Sequence, residues 1–352
     1  MELQPYVRPK FPFPYQTATL NGIKYNYIHA EPEGKVVGTI FLIHGWPDLS
    51  LGWRYQIPYL LSKGLRVIAP DMMGYGGTDA PQDVGLYTFK RASDDIAALA
   101  SHLGVSRIIL GGHDWGGAVV YRAALWHPEL VAAFFVISTP FAPPRVTYVD
   151  QALALPTLRY QLQFRTDDVQ DYIGPVDAQN ATRVRQVLNT LYGARLSGGA
   201  SAFNSSGDGL ALNRLDGVTK DTSLLTKQEL DFYVDNYAAN PFNRTLNWYR
   251  TGELNWKDEL SLLPNDAPFA AKYAQPALYI GGLQDTALPP VLSTGMEVYF
   301  DSLARGVVNG SHWIMWEKPK EVNGFVGGWL GNLTASLNLT TGIAAAGALA
   351  MR

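Results

Sequence analysis

Short runs of apolar residues recur along the chain, and each run ends in loop-forming residues. They are GTIFLIHG (38–45), LRVIAPD (65–71), RIILGG (107–112), LVAAFFVIS (130–138), PALYIGG (276–282) and ARGVVNGS (304–311). Unbroken Val, Ile and Leu runs of this length are typical of strands that are buried on both faces. Upstream of them, Asn21-Gly22 separates two alternating runs and predicts a β-hairpin.

Stretches with helical spacing lie between these runs. Residues 92–104 and 116–128 are two examples, and the second ends at Pro128. Alternation of strands and helices predicts an α/β fold with a mostly parallel central sheet and helices on both faces.

The alternation stops after Pro140, and no further core strand is predicted before residue 276. We therefore expect an inserted, mainly helical cap over 140–265. The flanking segments, 1–139 and 266–335, would form the two parts of the α/β core, and 336–352 would be a tail.

Composition excludes several classes of function. The chain has 352 residues, a net charge of -3 and no cysteine, which excludes disulfides, thiolate catalysis and cysteine-based zinc sites. Lys and Arg do not cluster, so we expect no nucleic-acid partner. The six histidines lack metal-binding spacing, and no apolar stretch is long enough to span a membrane. The first residues lack an apolar signal segment, so we expect a cytoplasmic protein. We also expect it to be a monomer or a homodimer.

The segment GGHDWGG (111–117) joins a predicted buried strand to a predicted helix. Small residues around such a corner let one side chain rise above the end of the sheet, where hydrolases of this architecture carry their nucleophile. Asp114 occupies that position. It could be a simple helix cap, but a carboxylate that is already ionised could also attack a strained or activated sp³ carbon and form an ester.

Hydrolysis of such an ester needs a base, and His312 follows the last predicted strand, where the histidine of this architecture stands. Asp285 follows the preceding strand, and its carboxylate could orient the imidazole. His29, His102 and His127 have the simpler interpretation of surface or capping residues.

Two backbone N–H groups are candidates for stabilising the anion that forms when water attacks the ester. One belongs to Trp115, directly after the candidate nucleophile, and the other to Trp46, in the loop after an early strand. His44 in that loop is expected to be structural.

Five motifs taken together strongly resemble the epoxide hydrolases of the α/β-hydrolase superfamily over residues 15–330. They are HGWP, WRYQIP, DMMGYGGTDAP, GGHDWGG and GSHWIMWEKP, in that order. The resemblance implies an α/β-hydrolase fold and an Asp–His–Asp triad of Asp114, His312 and Asp285.

The same resemblance implies that two cap tyrosines polarise the epoxide oxygen. LRYQLQF (158–164) and LNWYRTGELNW (246–256) are similar to the family's tyrosine segments and indicate Tyr160 and Tyr249 for these roles. Phe164, Phe242 and Trp248 suggest an apolar pocket, although the sequence does not decide which of them line it.

The implied reaction converts a small apolar epoxide and water to a vicinal diol, without a cofactor or a metal. Haloalkane and haloacetate dehalogenases share the triad and stay open as alternatives, as do an ester hydrolase and a non-catalytic small-molecule receptor on the same fold.

Overall fold

The computed structural model describes residues 13–175, 180–239 and 241–334. Near its start, β1 (Tyr15–Leu20) and β2 (Ile23–Ala30) pair in antiparallel fashion. Asn21 and Gly22 form the turn between them with φ angles of 48° and 84°. Positive φ at both turn residues is what a two-residue hairpin of this kind requires, and the predicted hairpin is confirmed.

Eight strands form the main sheet in the order β1-β2-β4-β3-β5-β6-β9-β10. The further strands of this sheet are β3 (Gly38–Ile43), β4 (Leu65–Pro70), β5 (Ile108–His113), β6 (Val131–Ile137), β9 (Ala277–Gly282) and β10 (Leu303–Val308). The strands from β4 to β10 in this order run parallel, and the hairpin joins them antiparallel through β2. Every residue of β3, β5, β6 and β9 is buried, which explains their unbroken apolar sequences.

Helices cover both faces of this sheet. The helices next to the strands are α1 (Ile57–Ser62), α2 (Phe89–His102), α3 (Trp115–Trp126), α11 (Ile314–Glu317) and α12 (Pro319–Thr334). Consecutive residues of a strand point to opposite faces. Phe134 of β6 contacts Tyr121 of α3, and Phe135 contacts Trp329 of α12. The predicted α/β-hydrolase architecture is confirmed.

The helix α2 begins three residues earlier than expected. Thr88 precedes it, and its side chain accepts a hydrogen bond from the backbone N–H of Arg91. This cap stabilises the first turn and extends the helix to Phe89.

Between β6 and β9 the chain forms a second layer, which we call the insert (residues 140–265). Its helices are α4 (Gln151–Ala154), α5 (Gln161–Phe164), α6 (Asp168–Ile173), α7 (Asn180–Leu191), α8 (Lys227–Ala238), α9 (Asn247–Arg250) and α10 (Gly252–Glu259). A two-stranded sheet of β7 (Phe203–Asn204) and β8 (Gly209–Leu210) accompanies them. The helix α8 starts with a reciprocal capping box between Thr226 and Glu229. The predicted tail, 336–352, lies outside the described residues.

Within the described ranges, no helix is both long enough and apolar enough to cross a membrane.

Candidate active site

The corner between β5 and α3 holds Asp114 in a backbone conformation that is rare for any residue except glycine, with φ 54° and ψ -126°. Packing around the corner explains the adjacent glycines. A Cβ on Gly116 would lie 2.0 Å from the carbonyl oxygen of Ile43, and one on Gly112 would lie 2.5 Å from the carbonyl oxygen of Gly116. The strained turn is therefore fixed from both sides and directs the carboxylate away from the strand end.

The Asp114 side chain makes no capping hydrogen bond to α3, so it is free of the simple structural role that a helix cap would give it. Its Oδ1 atom instead accepts a hydrogen bond of 2.8 Å from the backbone N–H of Trp46. A Cβ on Gly45 would lie 2.4 Å from this Oδ1 atom and 2.7 Å from the backbone nitrogen of Trp115. The Trp46 N–H therefore reaches the carboxylate, and the backbone nitrogen of Trp115 borders the same narrow space beside Gly45.

The pKa of Asp114 is lowered from its ordinary value. Burial on its own would raise this pKa, but the charge and hydrogen bond of His312 and the Trp46 N–H stabilise the anion more strongly. The N-terminus of α3 contributes in the same direction. Asp114 is therefore ionised at neutral pH.

His312 lies between two carboxylates. Its Nδ1 atom is 2.7 Å from Oδ2 of Asp285, and its Nε2 atom is 3.5 Å from Oδ2 of Asp114. The other oxygen of Asp285 accepts hydrogen bonds from the backbone N–H groups of Ala287 and Leu288, at 2.9 and 2.8 Å. These bonds fix the carboxylate in the loop after β9, so that Asp285 holds the imidazole in one orientation.

These charges shift the pKa values of both partners of the Asp285–His312 pair. Burial opposes ionisation of Asp285, but the charge and hydrogen bond of His312 outweigh it and lower the pKa of Asp285. Burial likewise lowers the pKa of His312, whereas Asp285 and Asp114 together raise it to about 10. The resting site therefore holds an imidazolium between two carboxylates.

Three further residues support this arrangement, and no sequence motif indicated a role for any of them. His113 Nε2 donates a hydrogen bond of 2.9 Å to the carbonyl oxygen of His312, and Ser138 Oγ donates another of 3.3 Å. Burial lowers the pKa of His113 to about 4, so its ring is neutral at pH 7. Thr139 Oγ1 donates to the carbonyl oxygen of Asp114 at 2.7 Å. His113 lies within the GGHDWGG motif, whereas nothing in the sequence distinguished Ser138 or Thr139.

A cavity of about 760 Å³ opens beside Asp114. Tyr160 and Tyr249 of the insert both line it, with their ring centroids 6.2 Å apart. The Tyr249 ring also packs edge-on against the indoles of Trp46 and Trp115, at 5.4 and 5.2 Å. The insert therefore brings two phenols to the cavity that contains the carboxylate.

Burial raises the pKa of both phenols above the ordinary value, and the negative charge of Asp114 raises each of them further. Both tyrosines consequently keep their protons at neutral pH and can act as hydrogen-bond donors.

The cavity extends away from Asp114 along α3. Ala118 and Arg122 line it with Asp114, and their four-residue spacing places all three on one side of the helix. At the far end, Arg122 forms a buried ion pair with Glu259 at 2.8 Å. Between these ends the lining contains many apolar side chains, so the space suits an apolar molecule considerably longer than its reacting group.

Aromatic residues of the insert divide between this cavity and the packing around Trp46. Trp248 lines the cavity, whereas the rings of Phe164 and Phe242 pack against the Trp46 indole at 4.6 and 6.1 Å. Phe164 and Phe242 thereby fix the side chain of Trp46, the residue whose backbone N–H donates to Asp114.

Two of the remaining histidines have the structural contacts expected of them. His127 bonds to Asp94 at 2.9 Å, and His44 Nε2 accepts a hydrogen bond from the backbone N–H of Met72. His102 lies in the last turn of α2, and His29 contacts Glu31 on the hairpin. None of these four has a hydrogen bond to Asp114 in the described contacts, and the neutral His113 bonds to the backbone carbonyl of His312, so His312 stays the base candidate.

The sequence profile of the alpha/beta hydrolase fold matches residues 38–319. Epoxide hydrolase srdG of Neurospora crassa is 38% identical over 335 residues, which cover 92% of this chain and 96% of the relative. The chain belongs to the epoxide hydrolase family of the α/β-hydrolase superfamily. Epoxide hydrolase A of Mycobacterium tuberculosis is a further relative, 31% identical over 86% of this chain and 92% of its own length.

Solved structures of epoxide hydrolases have the same fold. The crystal structure of epoxide hydrolase A from Mycobacterium thermoresistibile superposes with a TM-score of 0.74 and 28% identity, covering 90% of this chain and 98% of that one. The match spans nearly the whole of both chains, so the insert and the sheet belong to one epoxide hydrolase architecture.

Proposed function

We propose that this chain hydrolyses an epoxide to a vicinal diol through a covalent ester on Asp114. The observation that carries the proposal is a single cavity that contains an ionised carboxylate and two protonated phenols, with the His312 ring beside the carboxylate. Family membership supports the same reaction class.

In the first step, a carboxylate oxygen of Asp114 attacks one carbon of the epoxide. The carbon–oxygen bond of the ring breaks, and its electron pair goes to the epoxide oxygen. Tyr160 and Tyr249 donate hydrogen bonds to that oxygen as charge develops, and one of the phenols supplies its proton. Two donors in a largely apolar cavity stabilise this charge more than water would.

In the second step, His312 takes a proton from water, and the resulting hydroxide adds to the carbonyl carbon of the ester. The oxyanion that forms accepts hydrogen bonds from the backbone N–H groups of Trp46 and Trp115. Collapse of this intermediate breaks the bond between the carbonyl carbon and the diol oxygen, and that oxygen takes the proton of the new carboxyl group. The diol leaves, the Asp114 carboxylate is restored, and His312 keeps the water proton as an imidazolium that Asp285 stabilises.

The charges of the site explain how His312 can serve as a base although its pKa is raised in the resting enzyme. Ester formation converts the Asp114 carboxylate to a neutral group and so removes one of the two charges that raise the pKa of His312. The imidazolium can then give its proton to the tyrosinate that ring opening leaves, so that His312 is a neutral imidazole at the stage where water must be activated.

The two phenols favour an epoxide over an alkyl halide as the substrate. A departing halide is a stable anion and needs no proton, whereas an opened epoxide leaves an alkoxide that must be protonated. Tyr160 and Tyr249 supply that proton from the insert, and we therefore propose that the insert acts as the cap of the enzyme, with 1–139 and 266–335 as its core.

The proposal is tested with a panel of aryl, alkyl and long-chain epoxides, with diol formation as the readout. A haloalkane and a carboxylic ester of matched size serve as controls. Diol formation from at least one epoxide is expected, with no halide release. Turnover of the haloalkane or the ester alone would contradict the proposal, and binding without any turnover would favour a receptor.

A further inference from the structure

Three tyrosine hydroxyls of the insert bind one short loop of the core, which we call the Trp46 loop (residues 44–49). Tyr192, directly after α7, donates to the carbonyl oxygen of Pro47. Tyr233 and Tyr237 lie one turn apart on α8 and donate to Asp48, the first to its Oδ1 atom at 2.5 Å and the second to its backbone carbonyl at 3.0 Å. These bonds join α7 and α8 to the loop that approaches the nucleophile.

Asp48 lies at the centre of these contacts and is fully buried. Its backbone N–H donates to the carbonyl oxygen of Gly45 at 3.1 Å and closes a turn around Trp46, while its Oδ1 atom also accepts from the N–H of Leu49 at 2.7 Å. A Cβ on Gly52 would lie 2.0 Å from the Asp48 carboxylate, so the next turn of chain is shaped to admit this side chain. The Tyr233 hydroxyl therefore holds a buried carboxylate that in turn shapes the turn containing Trp46.

The same turn presents the Trp46 N–H to Oδ1 of Asp114. Charge on this oxygen falls when Asp114 attacks carbon, and it rises again when water adds to the ester. A well-placed donor therefore stabilises the second transition state rather than the first.

We infer that Tyr233 is a positioning residue for ester hydrolysis, acting through Asp48 on the Trp46 N–H. The inference rests on the proposed function, and it assigns the tyrosines of the insert to two different steps of the reaction. Tyr160 and Tyr249 serve the opening of the ring, whereas Tyr233, with Tyr192 and Tyr237 beside it, serves the release of the diol.

The test separates the two steps in Tyr233→Phe by rapid-quench single turnover with enzyme in excess over a substrate epoxide. Mass spectrometry of the intact chain follows the rise and decay of the ester. Ester decay is expected to slow about tenfold or more, as for a weakened oxyanion donor. Ester formation is expected to stay within about twofold of the wild-type rate, because the donor is not needed there.

A purely structural role for Tyr233 would give a different result. The matched control is Tyr25→Phe, because Tyr25 also donates a buried hydrogen bond to a carboxylate, Asp95, at 2.7 Å, but within the core and away from the Trp46 loop. Both variants should lose thermal stability, and only Tyr233→Phe should change the ratio of the two rates.

Each outcome bears on the inference. Wild-type ester decay in folded Tyr233→Phe overturns it and leaves the proposed function intact. Absence of any ester in the wild-type enzyme overturns the proposed function and this inference with it. Should Tyr233→Phe fail to fold, Tyr237→Phe replaces it, with slower ester decay expected and an unchanged decay rate overturning the inference.

Discussion

The Nε2 atom of His312 lies 3.5 Å from Oδ2 of Asp114, so the base candidate is beside the nucleophile without a short hydrogen bond to it. The separation is too long for a strong hydrogen bond, but the Asp114 charge still helps to raise the pKa of His312 to about 10. The protonation state of His312 is thus coupled to the charge of Asp114.

The first prediction concerns this coupling. Asp114→Asn replaces the carboxylate by a neutral group of the same shape, as ester formation does, and should lower the pKa of His312 from about 10. Because a raised histidine pKa means that the proton is held up to higher pH, the variant should lose this proton at lower pH than the wild type. Titration of the His312 ring by NMR measures the shift, and an unchanged titration would contradict the coupling.

A second prediction concerns the order of the two steps. His312→Gln should still form the ester, because an ionised Asp114 needs no base to attack carbon, but it should not hydrolyse it. The intact chain should then gain the mass of one substrate molecule. His127→Gln is a suitable control, since His127 bonds to Asp94 on the core surface, and it should turn over normally. Steady-state turnover in His312→Gln would remove His312 from the role of base.

A third prediction concerns the two phenols. Tyr160→Phe or Tyr249→Phe should slow ester formation about a hundredfold, since loss of one donor to a developing oxyanion costs about 3 kcal/mol. The double variant should nearly abolish ring opening. Single-turnover measurements of ester formation test this, with Tyr25→Phe as a control remote from the cavity. A wild-type rate of ester formation in Tyr249→Phe would exclude it as a donor.

The fourth prediction concerns the oxygen that enters the diol. A covalent mechanism transfers an oxygen of the Asp114 carboxylate to the first diol, while solvent oxygen enters the enzyme. One turnover in heavy-oxygen water, with enzyme in excess, should give unlabelled diol and label in the peptide that contains Asp114. Label in the diol of that first turnover would instead indicate that Asp114 activates water directly.

A fifth prediction concerns the corner itself. Gly116→Ala would place a Cβ 2.0 Å from the carbonyl oxygen of Ile43, so the backbone of the corner must shift. Such overpacking should lower the free energy of unfolding by about 1–3 kcal/mol and abolish ester formation. Gly324→Ala is the matched control, because this glycine of α12 has open space at its Cβ position and helix interiors favour alanine. Thermal unfolding and ester formation distinguish the two variants.

The strands and the corner could be predicted because their causes are local in sequence. Burial on both faces requires unbroken apolar runs such as Val131–Ile137, and a tight strand-to-helix turn requires glycines such as Gly116. The grouping of the site side chains around Asp114 could also be predicted from chain order, because the loops after parallel strands meet at one edge of the sheet.

Other parts of the site depend on contacts between distant segments, which no local pattern encodes. Tyr233 reaches Asp48 across 185 positions of the chain, and in a sequence with 19 tyrosines nothing distinguishes it. Thr139 likewise gains its role only when β5 and β6 pair, and His113 gains its role only when the segment after β10 brings the carbonyl oxygen of His312 to it. The early start of α2 depends on a single cap residue, Thr88. One such residue does not fix a helix end from the sequence alone.

The insert leaves the sheet after β6 and returns to it at β9, and these two strands are parallel neighbours. The chain leaves the sheet at the carboxyl end of β6 and re-enters it at the amino end of β9, so a replacement segment must cross from one edge of the sheet to the other but need not change the order of the strands. A replacement segment would have to supply more than new residues that line the cavity. It would also need tyrosines that line the cavity beside Asp114 and hydroxyl groups that hydrogen-bond to the Trp46 loop. These requirements limit which segments can be exchanged between such enzymes to change the substrate.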